Sequence, residues 1–167
     1  MDGDPSKIIL DACCGGRMFW FNKKHPSVLY VDIRQEPKGF MKVRPSFEVS
    51  PDEVADYTNL PYPDRRFKMV VWDPPHTIRN ETQKRGVIEM RYGRLRPKDW
   101  EANLELGFKE CWRVLDDYGV LIFKWGANDK KVGDILKLFT EVPLFGHTTN
   151  NKGTTYWMCF MKIPIAA

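Results

Sequence analysis

Among the 167 residues, the tetrapeptide Asp73-Pro74-Pro75-His76 is the stretch best suited to chemistry. Its two prolines fix the backbone and remove two N–H donors. What remains is acceptors, the Asp73 carboxylate and the Pro74 carbonyl. A rigid pair of acceptors can hold an exocyclic amino group by both of its N–H bonds. His76 adds a flat ring, for stacking on a base as extruded bases are held or for hydrogen bonding. An amine conjugated with a ring is a poor nucleophile, because its lone pair is delocalised. Acceptors on both N–H bonds favour the pyramidal nitrogen formed during attack, which is the differential stabilisation catalysis requires. Methyl transfer to such a nitrogen is the chemistry this tetrapeptide suits.

Three further acids follow short apolar runs in the same way. Ile8-Ile9-Leu10 ends at Asp11, Val28–Val31 at Asp32, Glu53–Ala55 at Asp56, and Met69–Trp72 at Asp73. In an open parallel sheet, ligands sit outside the carboxyl ends of the strands, so these acids are expected on one rim. Asp32 lies 21 residues after Asp11, the spacing at which an acid accepts hydrogen bonds from ribose hydroxyls. Asp56 is placed to receive an adenine amino group, with the Tyr57 backbone N–H reaching the ring. Cys13-Cys14-Gly15-Gly16 after the first run lets the backbone approach a ligand closely. Taken singly, each acid reads almost as well as a loop residue or helix cap; their joint placement is the signal. No G-x-G-x-x-G and no Gly-Lys-Ser/Thr loop is present, which argues against dinucleotide binding and a P-loop. The four cysteines show no C-x-x-C and no zinc spacing, so no metal is expected and reduced, mostly buried thiols are.

These residues need elements to hold them. The continuous apolar runs, with a fifth at Gly119–Phe123 ending near Lys124, fit strands covered on both faces. An apolar stripe through Trp100, Leu104, Phe108, Cys111, Trp112 and Leu115 predicts a helix from Pro97 to about Leu115. A second helix, capped by Asn128, is expected to run through about Phe139. Val142–Gly146 and Thr155–Ile163 read as two strands joined by a turn at Asn150-Asn151-Lys152-Gly153. Residues 34–52 hold too many breakers for a full crossover helix, and residues 77–96 read as a long polar loop. The expected fold is α/β, a mostly parallel twisted sheet closed by a C-terminal antiparallel hairpin, in one domain over residues 1–167. The net charge is +4, the apolar fraction 43% and the charged fraction 29%, the profile of an ordinary soluble globule. No apolar run reaches the ~20 residues of a membrane span, and the acidic start lacks the apolar stretch of a secretory signal, so a cytoplasmic protein without membrane partners is expected.

In this order the residues resemble class I S-adenosylmethionine-dependent amino-methyltransferases with a D/N/S-P-P-Y/F/W/H motif, in particular the small stand-alone enzymes of phages and prophages. Asp11-Ala12-Cys13-Cys14-Gly15 is similar to the cofactor loop, Asp32 to the ribose-binding acid, and Asp56 to Pro61 with Asp64 and Phe67 to the adenine segment. Asp73 to His76 matches the catalytic motif. The resemblance implies a Rossmann-like methyltransferase fold, S-adenosylmethionine as cofactor, and an amino group as acceptor. Arg17 stands where the family loop has its last glycine, and the bulky Met18–Phe21 implies a short first helix. His76 is the rarer choice at the stacking position, and no separate target-recognition domain is expected.

Residues 79–98 carry seven basic and two acidic residues, against 19 and 20 in the rest of the chain. The positive charge thus lies beside the tetrapeptide, where phosphate neutralisation is the direct reading. Arg91-Tyr92-Gly93-Arg94 supplies two cations and an aromatic that can stack. Lys124 is placed to contact a phosphate, to orient Asp73, or to lay its stem along apolar surface. The leading expectation is adenine N6 methylation in DNA with low sequence selectivity. Cytosine N4, RNA, a protein glutamine or a small amine are alternative acceptors, and a nucleic-acid-binding scaffold without activity is the non-enzymatic one. Selectivity then comes from the basic segment, from a neighbour such as a homodimer partner, or is largely absent.

Overall fold

The computed structural model describes residues 4–149 and 153–164. Its centre is a seven-stranded sheet in the order β3-β2-β1-β4-β5-β7-β6. The strands are β1 (Ile9–Asp11), β2 (Val28–Asp32), β3 (Glu53–Val54), β4 (Phe67–Trp72), β5 (Leu115–Gly126), β6 (Phe145–Thr149) and β7 (Thr155–Met161). Strands β1 to β5 pair in parallel, and β7 runs antiparallel to both β5 and β6. All five residues of β2 are buried, as a strand covered on both faces requires. The mostly parallel α/β architecture with an antiparallel C-terminal pair is the expected one.

The two faces of the sheet are covered unequally. Helix α2 (Trp100–Val114) returns from β4 to β5 and packs Leu104, Phe108, Cys111 and Val114 against Val70, Trp72, Leu121, Phe123 and Phe160. Phe108 stacks on Phe139 at 4.3 Å, which ties in the segment after α3 (Val132–Leu136). Gly107 is required here, because a Cβ would stand 2.6 Å from Trp72 Cζ2 and 2.8 Å from Tyr57 Cδ2. The opposite face carries a small cluster of Cys14, Val28 and Tyr30 with Ile9 and Trp20. The connections over that face, residues 12–27 and 33–52, contain no helix.

Several expectations are corrected. The short first helix after Gly16 does not form. Arg17 there sits at φ 53°, the left-handed region a glycine would favour. Its guanidinium compensates: it reaches the carbonyls of Lys23 and Ser50 at 2.7 Å, pairs with Asp52 at 2.8 Å, and lies 3.8 Å over the Tyr30 ring. Asn128 is not a cap; its N–H closes a turn on Gly126, and the helix starts after Lys131. It ends at Leu136, with turns carrying the chain to Phe139. Residues 77–96 are not all loop. Helix α1 (Val87–Tyr92) forms there, and Ile78 bridges to Leu95. Strand β6 begins three residues later than Val142, because Pro143 has no N–H to donate and pairing starts with Leu144 N on Cys159 O. The expected turn at Asn150-Asn151-Lys152 lies outside the described residues. The four cysteines form no disulfide; Cys14, Cys111 and Cys159 are buried and Cys13 half-buried.

Candidate active site

The parallel register brings the acids to one rim. Asp11 closes β1 and Asp32 closes β2, while Asp73 follows β4 directly and Asp56 stands two residues beyond β3. Lys124, near the end of β5, is on the strand next to β4.

Asp73 is 8% exposed and held from both sides. His76 Nε2 lies 2.9 Å from Oδ1 and Lys124 Nζ 2.7 Å from Oδ2. Burial pushes this carboxyl up, but the bond and charge of His76 and the Lys124 ammonium outweigh it. The group stays below the usual carboxylate range and is held as an anion. Each oxygen accepts one of these bonds, so each keeps one acceptor site. Of the roles open to Lys124, orienting Asp73 is the one its geometry takes. His76 is turned inward, not offered as a stacking surface. Its ring meets Trp125 edge-on at 5.0 Å and its Nδ1 is buried without a partner among the described residues. Gly126 makes the room, since a Cβ there would stand 3.1 Å from His76 Cδ2. The two prolines place His76 within reach of Asp73, and the hydrogen bond wins over stacking.

Asp73 and Lys124 line a cavity of about 140 Å³ with Cys13, Cys14, Gly15 and Gly16 of the turn after β1. Gly15 takes φ +48° there, and its N–H donates to Asp32 Oδ2 at 2.9 Å. A second cavity, about 250 Å³, is lined by Asp32, Asp56, Tyr57, Pro75, Arg85 and Asn103 among others. Cys13, Arg34 and Tyr92 line both cavities and so form the wall between them. A larger open cleft of about 550 Å³ behind the turn shares Gly15 and Gly16 but none of the rim acids.

Asp11 is fully buried, accepting from Trp20 Nε1 at 2.7 Å and Cys13 N at 3.3 Å. Burial drives its carboxyl up to about 7. Asp56 Oδ1 accepts from the Thr58 N–H and hydroxyl, an Asx-type turn that leaves Oδ2 free of partners among the described residues. The Tyr57 ring packs edge-on against Trp72 at 5.6 Å and its hydroxyl donates to Asn103, whereas its backbone N–H has no partner among the described residues.

The basic segment is less free than its composition implies. Arg79 pairs with Asp129, and Arg96 with Glu81 and Asp99. Arg94 is turned inward, contrary to its expected substrate contact. It holds Glu89 and the carbonyls of Glu81 and Gln83, and so pins the 81–94 turn. Lys84, Arg85, Arg91 and Lys98 have no acidic partner among the described residues. Arg91 lies against Met18 Sδ and over the Tyr92 ring at 4.8 Å, with its Nε buried and unpartnered among the described residues. No motif or periodicity points to Arg34, to Trp20 over Asp11, or to Trp157, whose ring lies 5.5 Å from Lys124 Nζ.

No protein-family model and no curated protein matches the sequence. Solved structures do match in fold. The PH0226 protein from Pyrococcus horikoshii OT3 superposes with a TM-score of 0.61 at 16% identity, covering 93% of this chain and 81% of its own. A SAM-dependent methyltransferase from Aquifex aeolicus gives 0.52 at 12% identity, covering 95% and 83%. At these identities the likeness establishes a shared fold, the Rossmann-like α/β fold of methyltransferases.

Proposed function

We propose that this protein is an S-adenosylmethionine-dependent N-methyltransferase acting on the exocyclic amine of a nucleic-acid base, adenine N6 in DNA foremost. The observation that carries this reading is the Asp73 carboxylate: anionic, clamped by Lys124 and His76, and opening on the cavity beside the glycine turn. The residues present fit the cofactor. The turn after β1 brings backbone close to the cavity, Asp32 stands at the ribose position, and Asp56 with the free Tyr57 N–H suits an adenine edge. Asp11 stands behind the turn, where a ligand ammonium favours its ionised form. When bound, S-adenosylmethionine supplies an electrophilic methyl group whose bonding pair passes to its sulfur.

The chain's own residues prepare the nucleophile. The spare acceptor sites of Asp73, with the Pro74 carbonyl, take the two N–H bonds of the incoming amine and favour its pyramidal form. Lys124 and His76 fix the carboxylate so that no reorganisation is needed at attack. Tyr92, on the wall between the cavities, takes the stacking role that His76 gives up. Arg91, with Arg85 and Lys84, presents unpaired positive charge for phosphates, a role Arg94 leaves to them.

Asp73→Ala tests the assignment. Transfer of labelled methyl from the cofactor to DNA is lost, while cofactor affinity by calorimetry stays within about twofold, since Asp73 touches the acceptor. A large loss of cofactor binding contradicts the role. Digestion of wild-type product identifies the base; label in RNA or protein, with no N6-methyladenine in DNA, overturns the substrate.

A further inference from the structure

Asp32 has no acceptor capacity left. A carboxylate offers about four lone-pair sites, and all four are filled. Oδ1 accepts from Arg34 N at 2.9 Å and Arg34 Nε at 3.1 Å; Oδ2 accepts from Gly15 N at 2.9 Å and Arg34 Nη2 at 3.3 Å. Both residues are sequestered, Asp32 fully and Arg34 with 17% of its side chain exposed. A ribose that donates to Asp32 must therefore break bonds that Arg34 now makes.

The other side of the same guanidinium holds helix α1. Arg34 Nη1 donates to the carbonyls of Met90 and Arg91, both at 3.3 Å. These lie in the last turn of α1, where helix carbonyls lack intrahelical partners. The next residue but one, Gly93, lies at φ 79°; a Cβ there would stand 3.2 Å from Pro75 Cγ and 4.0 Å from Arg34 Nε. The end of α1 is thus seated on the Asp-Pro-Pro segment and on Arg34 together. That helix carries Arg91 and Tyr92, the groups assigned above to the polynucleotide.

We propose that Arg34 is a positioning residue that couples the two halves of the site: a nucleoside hydroxyl and the Arg34 fork compete for the Asp32 carboxylate, and α1 is seated only while Arg34 stays on Asp32. This rests on the cofactor reading given above. Cofactor binding draws the Arg34 fork off Asp32, the carbonyls of Met90 and Arg91 lose their partner, and the 87–94 segment is released to rearrange around substrate. The resulting order is cofactor first, polynucleotide second. The coupling is reciprocal: a polynucleotide that engages the released segment tightens cofactor binding by the same factor.

Hydrogen exchange over residues 87–94, with and without S-adenosylhomocysteine as probe, reads this directly. In the wild type the ligand raises exchange of the segment while protecting the turn after β1. In Arg34→Ala, exchange of 87–94 is already raised without ligand, ligand adds nothing further, and calorimetric affinity is about tenfold tighter because the competitor is gone. Arg34→Lys keeps the charge but not the fork, and falls between the two. A merely structural Arg34 would raise exchange in the variant but leave the wild-type segment indifferent to ligand. That indifference, or weaker binding by Arg34→Ala, overturns the proposal. If neither protein binds the probe, the cofactor reading itself fails and the proposal falls with it.

Discussion

Replacing Lys124 by Met isolates the charge arrangement at the centre of the site. The Asp73 and Lys124 side chains are 8% and 20% exposed, so their contact at 2.7 Å is largely shielded from water. Removing one partner of a buried pair costs roughly 3–5 kcal/mol, because the remaining charge is left uncompensated. His76 still holds Oδ1 and Lys124 is one-fifth exposed, which places the cost near the lower end, about 3 kcal/mol. At roughly 2–4 °C per kcal/mol for a domain of this size, the variant melts about 6–12 °C lower at pH 8. The same 3 kcal/mol raises the proton affinity of Asp73 by about a factor of 100. The sign then fixes the pH dependence. In the wild type the carboxyl lies below its ordinary value, so its contribution is present above the unfolded pKa and is lost only as pH falls through the folded one. In Lys124→Met the carboxyl moves up, and protonation relieves the unpaired charge. The deficit is therefore largest at pH 8 and shrinks toward pH 5. Asp73→Asn combined with Lys124→Met buries no charge, and the double variant recovers about 2 kcal/mol relative to additivity. Calorimetric unfolding of the four proteins at pH 5 and 8 supplies every term. Additive effects, or a deficit that does not change with pH, would refute the reasoning.

Two further predictions concern the turn after β1. Asp11 has its carboxyl raised to about 7, so the free protein loses stability as pH rises from the unfolded carboxylate value through that point. Asp11→Asn cannot ionise. Its melting temperature relative to the wild type therefore rises between pH 5 and pH 8; a constant difference would show that Asp11 ionises as freely as in the unfolded chain. Arg17 at φ 53° is strained as a non-glycine residue but anchored by its guanidinium. Both Arg17→Gly and Arg17→Ala lose the anchor, yet the glycine variant is more stable by ~1 kcal/mol in urea unfolding, since only alanine keeps the left-handed strain. Equal stabilities would place no strain at that position.

What could be read from the sequence was whatever depends on local pattern. The apolar runs and their terminal acids fixed the parallel sheet and its rim, because strand burial and strand-end position are properties of a few consecutive residues. The Trp100–Leu115 stripe was equally plain. Long-range choices were not legible. His76 stacks or bonds according to whether Gly126, fifty residues on, leaves it room, and nothing near position 76 says so. Arg94 is indistinguishable from Arg91 in composition, yet one is folded onto Glu89 and the other left without an acid. Asn128 has the right chemistry for a cap, but the turn on Gly126 delays the helix. Arg34, two residues after an acid, carried no periodicity or motif at all; its part emerges only from the carbonyls that α1 brings to it.

The unequal covering of the sheet sets a hierarchy of opening. The β4–β5–β7 wall backed by α2 holds more than half of the large core and should be the last to exchange its amides. The helix-free stretches 12–27 and 33–52 bury few apolar side chains of their own, Ala12, Cys14, Met41 and Val49, and should open first. The first of these stretches contains the glycine turn and the second follows Asp32 directly. A ligand seated there would be gripped by the most labile part of the molecule, and its binding would register as new resistance to trypsin at Arg17, Lys23 and Lys24 before any change in global melting.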